Sequence, residues 1–137
     1  MSGNFIKLYA QQTPADNAFM LEEGRVFFYP NTADKYAVNG KNLIIGATEL
    51  IMTHMLGVET GRMETAIATA DSKLKRMPLD KFKAGLESLS FILNVSMVMA
   101  KQVSLTNAII NRTLTEMAGD ESKVRELSME YFSIIDR

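Results

Sequence analysis

LDKFKAGLESLSFILNVSMVMAKQVSLTNAIINRTLTEM, running from Leu79 to Met117, is the stretch whose reading decides the fold. Along it Leu79, Phe82, Leu86, Leu89, Leu93, Ala100, Val103, Ile110, Leu114 and Met117 recur at intervals built from threes and fours, and only Ser96 and Asn107 interrupt the seam. A spacing of about 3.5 marks a helix that keeps one side on a partner, because gentle supercoiling absorbs the mismatch with 3.6 residues per turn. Gly85 is the only glycine between Pro78 and Gly119. The spacing therefore predicts one helix of roughly 58 Å at 1.5 Å per residue, longer than the roughly 40 Å across a compact domain of this size. Such a helix must break, overhang, or be covered by a second chain.

Phe91, Ile92, Val95, Met97, Val98 and Met99 add apolar groups on its flanks, leaving one largely polar column of Asp80, Glu87, Asn94, Lys101 and Thr115. A helix apolar on three sides reads as the central element of a bundle. If it kinks, Ser104-Leu105-Thr106-Asn107 is the place, since Ser and Thr can cap a new helix there. If it stays continuous, Asn107 is a polar seam residue that sets register against a second copy. The apolar core of the stretch, Leu89–Ala100, is too short and too interrupted by Ser90, Asn94 and Ser96 to span a bilayer that needs about 20 residues.

Upstream, Asn42 is a plausible cap for a mostly apolar helix over 43–56, stopped by Gly57. Met63, Ala66, Ile67, Ala70, Leu74 and Met77 share one stripe, which predicts an amphipathic helix over 60–77 ended by Pro78. Downstream, Gly119-Asp120 stops the long helix and opens a last one through Val124, Leu127, Tyr131, Ile134 and Ile135.

The first forty residues read differently. Phe5–Tyr9, Arg25–Tyr29 and Lys35–Val38 are short, aromatic and β-branched, and predict strands, with Asn39-Gly40 suited to a tight hairpin turn. Between the first two, Thr13-Pro14-Ala15-Asp16 has the form of a helix start and Gly24 that of a stop, predicting a short helix over 14–23. The expectation is a single domain over 1–137, mainly α: short strands and one short helix over 1–41, then a helical bundle over 42–137 built around one long, kinked or continuous central helix. Helix should account for about 60 to 65% of the chain against a globular average of roughly a third.

Composition narrows the function classes. With 137 residues, 15 Lys and Arg against 16 Asp and Glu, and no cysteine, the chain has no global field for nucleic acid or membrane and no thiol chemistry. These features, with an amino terminus unlike a signal peptide, lead to an expected cytoplasmic location. His54, the single histidine, has Glu49 and Glu59 five residues away on either side, off its helical face, and reads as a helix-end histidine and not a metal ligand. Gly57-Val58-Glu59-Thr60-Gly61-Arg62 offers backbone donors and an arginine to an anion, but lacks the Lys-Ser/Thr of a phosphate loop and reads better as an interhelical turn. Lys73, Lys75, Arg76, Lys81 and Lys83 form the densest basic run, around Pro78, a candidate contact for nucleic acid or an acidic partner. Nine methionines beyond Met1 suit core filling or an adaptable surface. No catalytic constellation, cofactor site or metal site emerges. The sequence therefore leads to a non-enzymatic adaptor or assembly factor acting as a helical homodimer, with Leu93, Ala100, Val103, Asn107, Ile110 and Leu114 as the dimer seam, no membrane association, and a nucleic-acid-associated subunit as the alternative.

Overall fold

The structure, a computed structural model, describes Asn4–Glu116. The chain divides into two compact units, Met1–Val103 and Ser104–Arg137. The first contains five strands: β1 (Phe5–Tyr9), β2 (Asn17–Tyr29), β3 (Tyr36–Ile45), β4 (Thr65–Thr69) and β5 (Lys73–Pro78). Helix α1 (Ala47–His54) follows β3, α2 (Leu79–Gly85) follows β5, and α3 (Leu89–Glu116) runs from the first unit into the second. The described part of the second unit, Ser104–Glu116, is helical throughout.

All strand pairings are antiparallel, and β2 organises them. One of its edges pairs with β3 from Phe19↔Ile45 to Phe28↔Tyr36. Along the other edge two short strands share its 13 residues: β5 takes Asn17–Glu23, β4 takes Val26–Tyr29, and β1 extends the sheet beyond β4. The junction falls at Gly24, which has φ +138° and pairs with Gly40 at φ +154°. An added Cβ on Gly24 would come within 2.6 Å of Ser72 Cβ, so only glycine fits this close approach. Ser72, buried between β4 and β5, replaces the missing strand partner: its hydroxyl accepts from Arg25 N at 3.2 Å and reaches Arg25 O and Thr69 Oγ1. A polar side chain thus pairs backbone groups that the gap would otherwise leave open.

Val26, Phe28, Tyr36, Val38, Ala66 and Ala68 are buried in alternation on β2, β3 and β4, the period-2 pattern of a sheet with one covered face. A second cluster joins Ala15, Ala18 and Ile44 to Ala47 and Leu50 of α1, Phe82 of α2 and Val95 of α3, with Phe91 edge-on to Phe82 at 5.6 Å. The helices therefore cap the end of the sheet where β2 meets β5.

This architecture corrects the expectation of a mainly α bundle. Of the predicted helix over 14–23, residues 17–23 form the first half of β2 and 14–16 lead into it, because both edges of the strand find partners and pairing outweighs the cap-like Thr13-Pro14-Ala15-Asp16. Asn39-Gly40 lies inside β3 and makes no hairpin turn. Asn42, at φ 55°, caps no helix; Leu43–Ile45 complete the strand and α1 begins after Gly46, at φ 84°. The predicted helix over 60–77 is a segment over 60–64 without regular structure followed by β4 and β5, which a turn at Ala70-Asp71 joins. Its Ala-Ile-Ala core satisfies a period of 2 as well as 3.6, and burial of Ala66 and Ala68 selects the former.

The long helix exists but breaks between Gly85 and Leu89, where the Phe91 ring stands within 2.8 Å of an added Gly85 Cβ; Ser104–Asn107 stays helical. It is not a core helix either: among its described residues only Val95 and Val98 are buried. The helix expected after Gly119 lies outside the described residues, as does Met117.

Candidate functional site

Where β3 ends, Leu43-Ile44-Ile45 drive the strand into the core, and Gly46 turns the chain through a left-handed φ of 84° to launch α1. The turn leaves the Gly46 carbonyl facing inward. Glu49, in the first turn of α1, is buried at the end of the helix that favours negative charge. At α1's far end Gly57, at φ 69°, reverses the chain, and Thr53 Oγ1 holds the returning segment through Thr60 O at 3.1 Å and Thr60 N at 3.3 Å. This return delivers Arg62 beneath the start of α1, just ahead of β4.

Arg62 is 2% exposed. Its Nη1 donates to Gly46 O at 2.7 Å and to Glu49 Oε1 at 2.8 Å, and its Nη2 donates to Asn17 O at the start of β2. The guanidinium also lies 4.1 Å from the centroid of the Tyr9 ring on β1, within reach of a cation–π contact. One side chain so fastens β1, β2, the end of β3 and α1 to the entry of β4. The loop on its outer side is tied to the segment after β1 by Gln12 N donating to Arg62 O at 2.6 Å and Arg62 N donating to Thr13 O at 2.8 Å. Gln11, Gln12, Thr60, Gly61, Arg62 and Met63 line an open depression of about 340 Å³ there.

Two residues on, Glu64 meets Tyr36 of β3, whose hydroxyl donates to Glu64 Oε1 at 2.6 Å. Gln102 of α3 in turn donates to the Tyr36 oxygen at 3.2 Å. Burial pushes the Glu64 carboxyl up, its bond from Tyr36 partly offsets that, and the Glu49 charge adds to the rise. Burial likewise pushes the phenols of Tyr9 and Tyr36 far above the ordinary tyrosine value, for Tyr9 with the Glu49 charge next in size and for Tyr36 with the bond to Glu64. Among the described residues, the buried side-chain polar atoms left without a hydrogen-bond partner are Arg62 Nε and Glu64 Oε2, a donor and an acceptor. Both belong to this cluster, and the charges of both residues act on the Tyr9 phenol, Arg62 lowering it and Glu64 raising it.

The residues singled out from sequence fall elsewhere. Lys73, Lys75 and Arg76 lie on β5 and Lys81 and Lys83 on α2, all exposed, with Lys75 Nζ 2.9 Å from Glu22 Oε1. His54 ends α1 with Nε2 3.0 Å from Ala15 O. Of the Gly57–Arg62 pattern only the arginine enters the cluster, and the turn joins a helix to a strand where two helices were expected. The seam residues all lie on α3: Leu93, Ala100, Val103 and Asn107 are exposed and Ile110 and Leu114 half-buried. Glu49, Glu64, Tyr9, Tyr36 and Gln102 were missed. Their spacing along the chain has no period. Among the described residues no group of three His, Asp or Glu side chains could hold a metal.

One face of α3 carries Asn94, Val95, Val98 and Gln102 toward the sheet; Asn94 accepts from Ile44 N at 3.0 Å and donates to Asn42 O. The opposite face leaves Leu89, Leu93, Met97 and Val103 more than half exposed. By length and composition α3 could cross a membrane, with a mean hydropathy of 1.3 over an 18-residue window of which 11% is buried.

No family model matches this chain, and no curated protein does. Solved structures do. The catabolite activator protein of Thermus thermophilus aligns over 82% of this chain and 52% of its own, at 14% identity and a TM-score of 0.55. The sensor domain of the transcriptional regulator DNR from Pseudomonas aeruginosa aligns over 81% and 68%, at 21% identity and a TM-score of 0.46. The EAL enzyme Bd1971 in its cAMP-bound form aligns over 93% and 34%, at 14% identity and a TM-score of 0.47. The chain thus spans about half the length of the catabolite activator protein. That likeness shows the fold alone: a five-stranded antiparallel sheet followed by a long helix, as in the catabolite activator protein. It overturns the all-α helical-bundle reading, and with it the adaptor function and the nucleic-acid alternative built on the basic corner around Pro78, whose Lys73, Lys75 and Arg76 stand on a strand of the sheet.

Proposed function

We propose that this domain is a ligand-binding sensor that takes a small polar anion of the cyclic-nucleotide class at the Arg62–Glu64 cluster and passes the signal on as a homodimer through α3. The observation that carries the reading is the pair of unpartnered buried atoms, Arg62 Nε and Glu64 Oε2. Buried polar groups are nearly always paired, and a molecule presenting an anionic acceptor beside a hydroxyl or amine donor would complete both. A cyclic nucleotide has a phosphate and hydroxyl groups of that kind. Arg62 would bind the phosphate, Glu64 would take the donor, and Glu49 would hold the guanidinium in place. The reading includes no chemical step on the ligand, so the domain is proposed as a binder and not an enzyme, in the cytoplasm.

The outward face of α3 supports the homodimer. Leu93, Ala100, Val103 and Asn107 follow one another along a single helical face, opposite Asn94, Val95, Val98 and Gln102, which hold the helix to the sheet. A second copy covers such a one-sided seam naturally. A bilayer does not, because Asn94 and Gln102 bind the helix to polar partners on the sheet and Lys101 stands in mid-helix. Calorimetric titration with cAMP and cGMP tests the ligand reading: binding to the folded chain should raise its melting temperature, and no heat and no shift with either at millimolar concentration would overturn it.

A further inference from the structure

We infer that Glu64 selects ligands by its own proton: its free oxygen accepts from a ligand when the carboxyl is ionised and donates to one when it is protonated. This selection rests, for its ligand-dependent half, on the sensor reading above. The geometry fixes which oxygen is the variable one. The Tyr36 hydroxyl donates to Glu64 Oε1 at 2.6 Å, and Gln102 Nε2 donates to the same phenolic oxygen at 3.2 Å. A phenol has a single proton and an amide nitrogen offers it no acceptor, so that proton stays on the Glu64 side. Tyr36 stacks on Phe28 with ring centroids 5.2 Å apart, which keeps the hydroxyl in this place. Oε1 is therefore taken as an acceptor in either state of the carboxyl, and a proton added to Glu64 has only Oε2 to sit on. Oε2 is buried and has no hydrogen-bond partner.

The groups that act on this carboxyl and its hydrogen-bond chain come from several elements: Tyr36 from β3, Glu49 from α1, Tyr9 from β1 and the uncharged Gln102 from α3. Arg62 precedes Glu64 by two residues and is paired with Glu49 Oε1 at 2.8 Å. Burial pushes the Glu64 carboxyl up, the bond from Tyr36 offsets part of that rise, and the Glu49 charge adds to it. The protonated form thus reaches closer to neutrality than in an ordinary carboxyl. A ligand donor that meets Oε2 leaves the Tyr36 bond in place and needs a bare carboxylate oxygen. Where Glu64 is protonated, its proton leaves to solvent as the ligand's donor takes its position. Affinity for a donor-bearing ligand therefore weakens as pH falls through the Glu64 value of the free protein. A ligand that offers only acceptors at this point has the opposite dependence, because it is held through the Oε2 proton and takes one up from solvent.

Infrared titration of the full-length protein without ligand tests where the proton sits, with Glu64→Gln identifying the Glu64 carboxyl band by difference. Tyr36→Phe keeps the ring and removes the donor that favours the ionised form, so the band should titrate about one pH unit higher than in wild type. An unchanged or lower titration would mean that Tyr36 does not hold Oε1 as an acceptor, and would overturn the assignment of the proton to Oε2. Calorimetric titration with cGMP, which carries amine and hydroxyl donors, in buffers of differing ionisation enthalpy tests the ligand half. Wild type should release a proton on binding at a pH where its Glu64 is protonated, and none where Glu64 is already ionised. Glu64→Gln reproduces the protonated state, because Tyr36 selects the amide oxygen and leaves the nitrogen at the Oε2 position. It should bind cGMP roughly tenfold more weakly than ionised wild type, with no proton released. Binding to wild type with proton uptake, or with no proton change at either pH, would overturn the selection and leave the sensor reading intact. Failure of both cAMP and cGMP to bind wild type would overturn the sensor reading, and the infrared titration alone would then decide whether Oε2 carries the proton.

Discussion

Arg62 and Val103 carry the two opposite surroundings in this molecule. The arginine is a charged side chain 2% exposed, bound to Gly46 O, Glu49 Oε1 and Asn17 O, whereas the valine is an apolar side chain 59% exposed on α3. A buried charge survives only with dedicated partners, so the polar interior specifies one arrangement of β1, β2, α1 and β4. An exposed apolar face offers area to a second molecule. The fold is fastened in the first region, and the proposed association is placed in the second.

The sharpest way to break this contrast is Glu49→Ala. It leaves the Arg62 charge in the interior without its carboxylate, and chemical denaturation should show a loss of about 3–5 kcal/mol; a change under about 1 kcal/mol would mean the pair does not fasten the fold. Gly24→Ala comes next. Its Cβ would collide with Ser72 at a φ of 138°, and a loss of about 1–3 kcal/mol is expected from strain at such a position, measured by the same denaturation midpoint.

The Glu64 carboxyl offers a test by pH. Its folded value lies above its unfolded one, so its contribution to stability is complete below the unfolded value and is lost as pH rises through the folded one. Unfolding midpoints should therefore increase as pH falls from neutral toward the ordinary carboxylate range, and Glu64→Gln should flatten that dependence. Leu93→Glu with Val103→Glu sharpens the other side. Both side chains are exposed, so thermal stability at high dilution should move by less than about 0.5 kcal/mol per site, while sedimentation should show the mass of the wild-type assembly falling to that of one chain.

Some of this was readable in advance. Phe5–Tyr9 is β1 with the predicted ends, and the aromatic Arg25–Tyr29 is the second half of β2, because short β-branched and aromatic runs have one favourable conformation. Gly57 does end a helix. Of the site, only Arg62 carried a local hint, in a pattern that pointed to a surface anion and not to a buried ion pair. Glu49, Glu64, Tyr36 and Gln102 could not be found that way, since each contact joins residues from different elements and leaves no mark on local periodicity.

What the chain determined by itself was local: strand-forming aromatic runs, glycines that only certain turns accept, and a seam of apolar residues at helical spacing from Leu79 onward. The tertiary structure alone decided that Asn17–Glu23, Thr65–Thr69 and Lys73–Pro78 are strands, that the helix breaks after Gly85, and that Leu89, Leu93 and Met97 on it stay more than half exposed. The physical reason is the same in each case. Residues such as Ala66, Ile67 and Ala68 suit either period, and the choice falls to hydrogen-bond partners such as Phe28 and Phe27 on β2, which only the folded chain brings alongside.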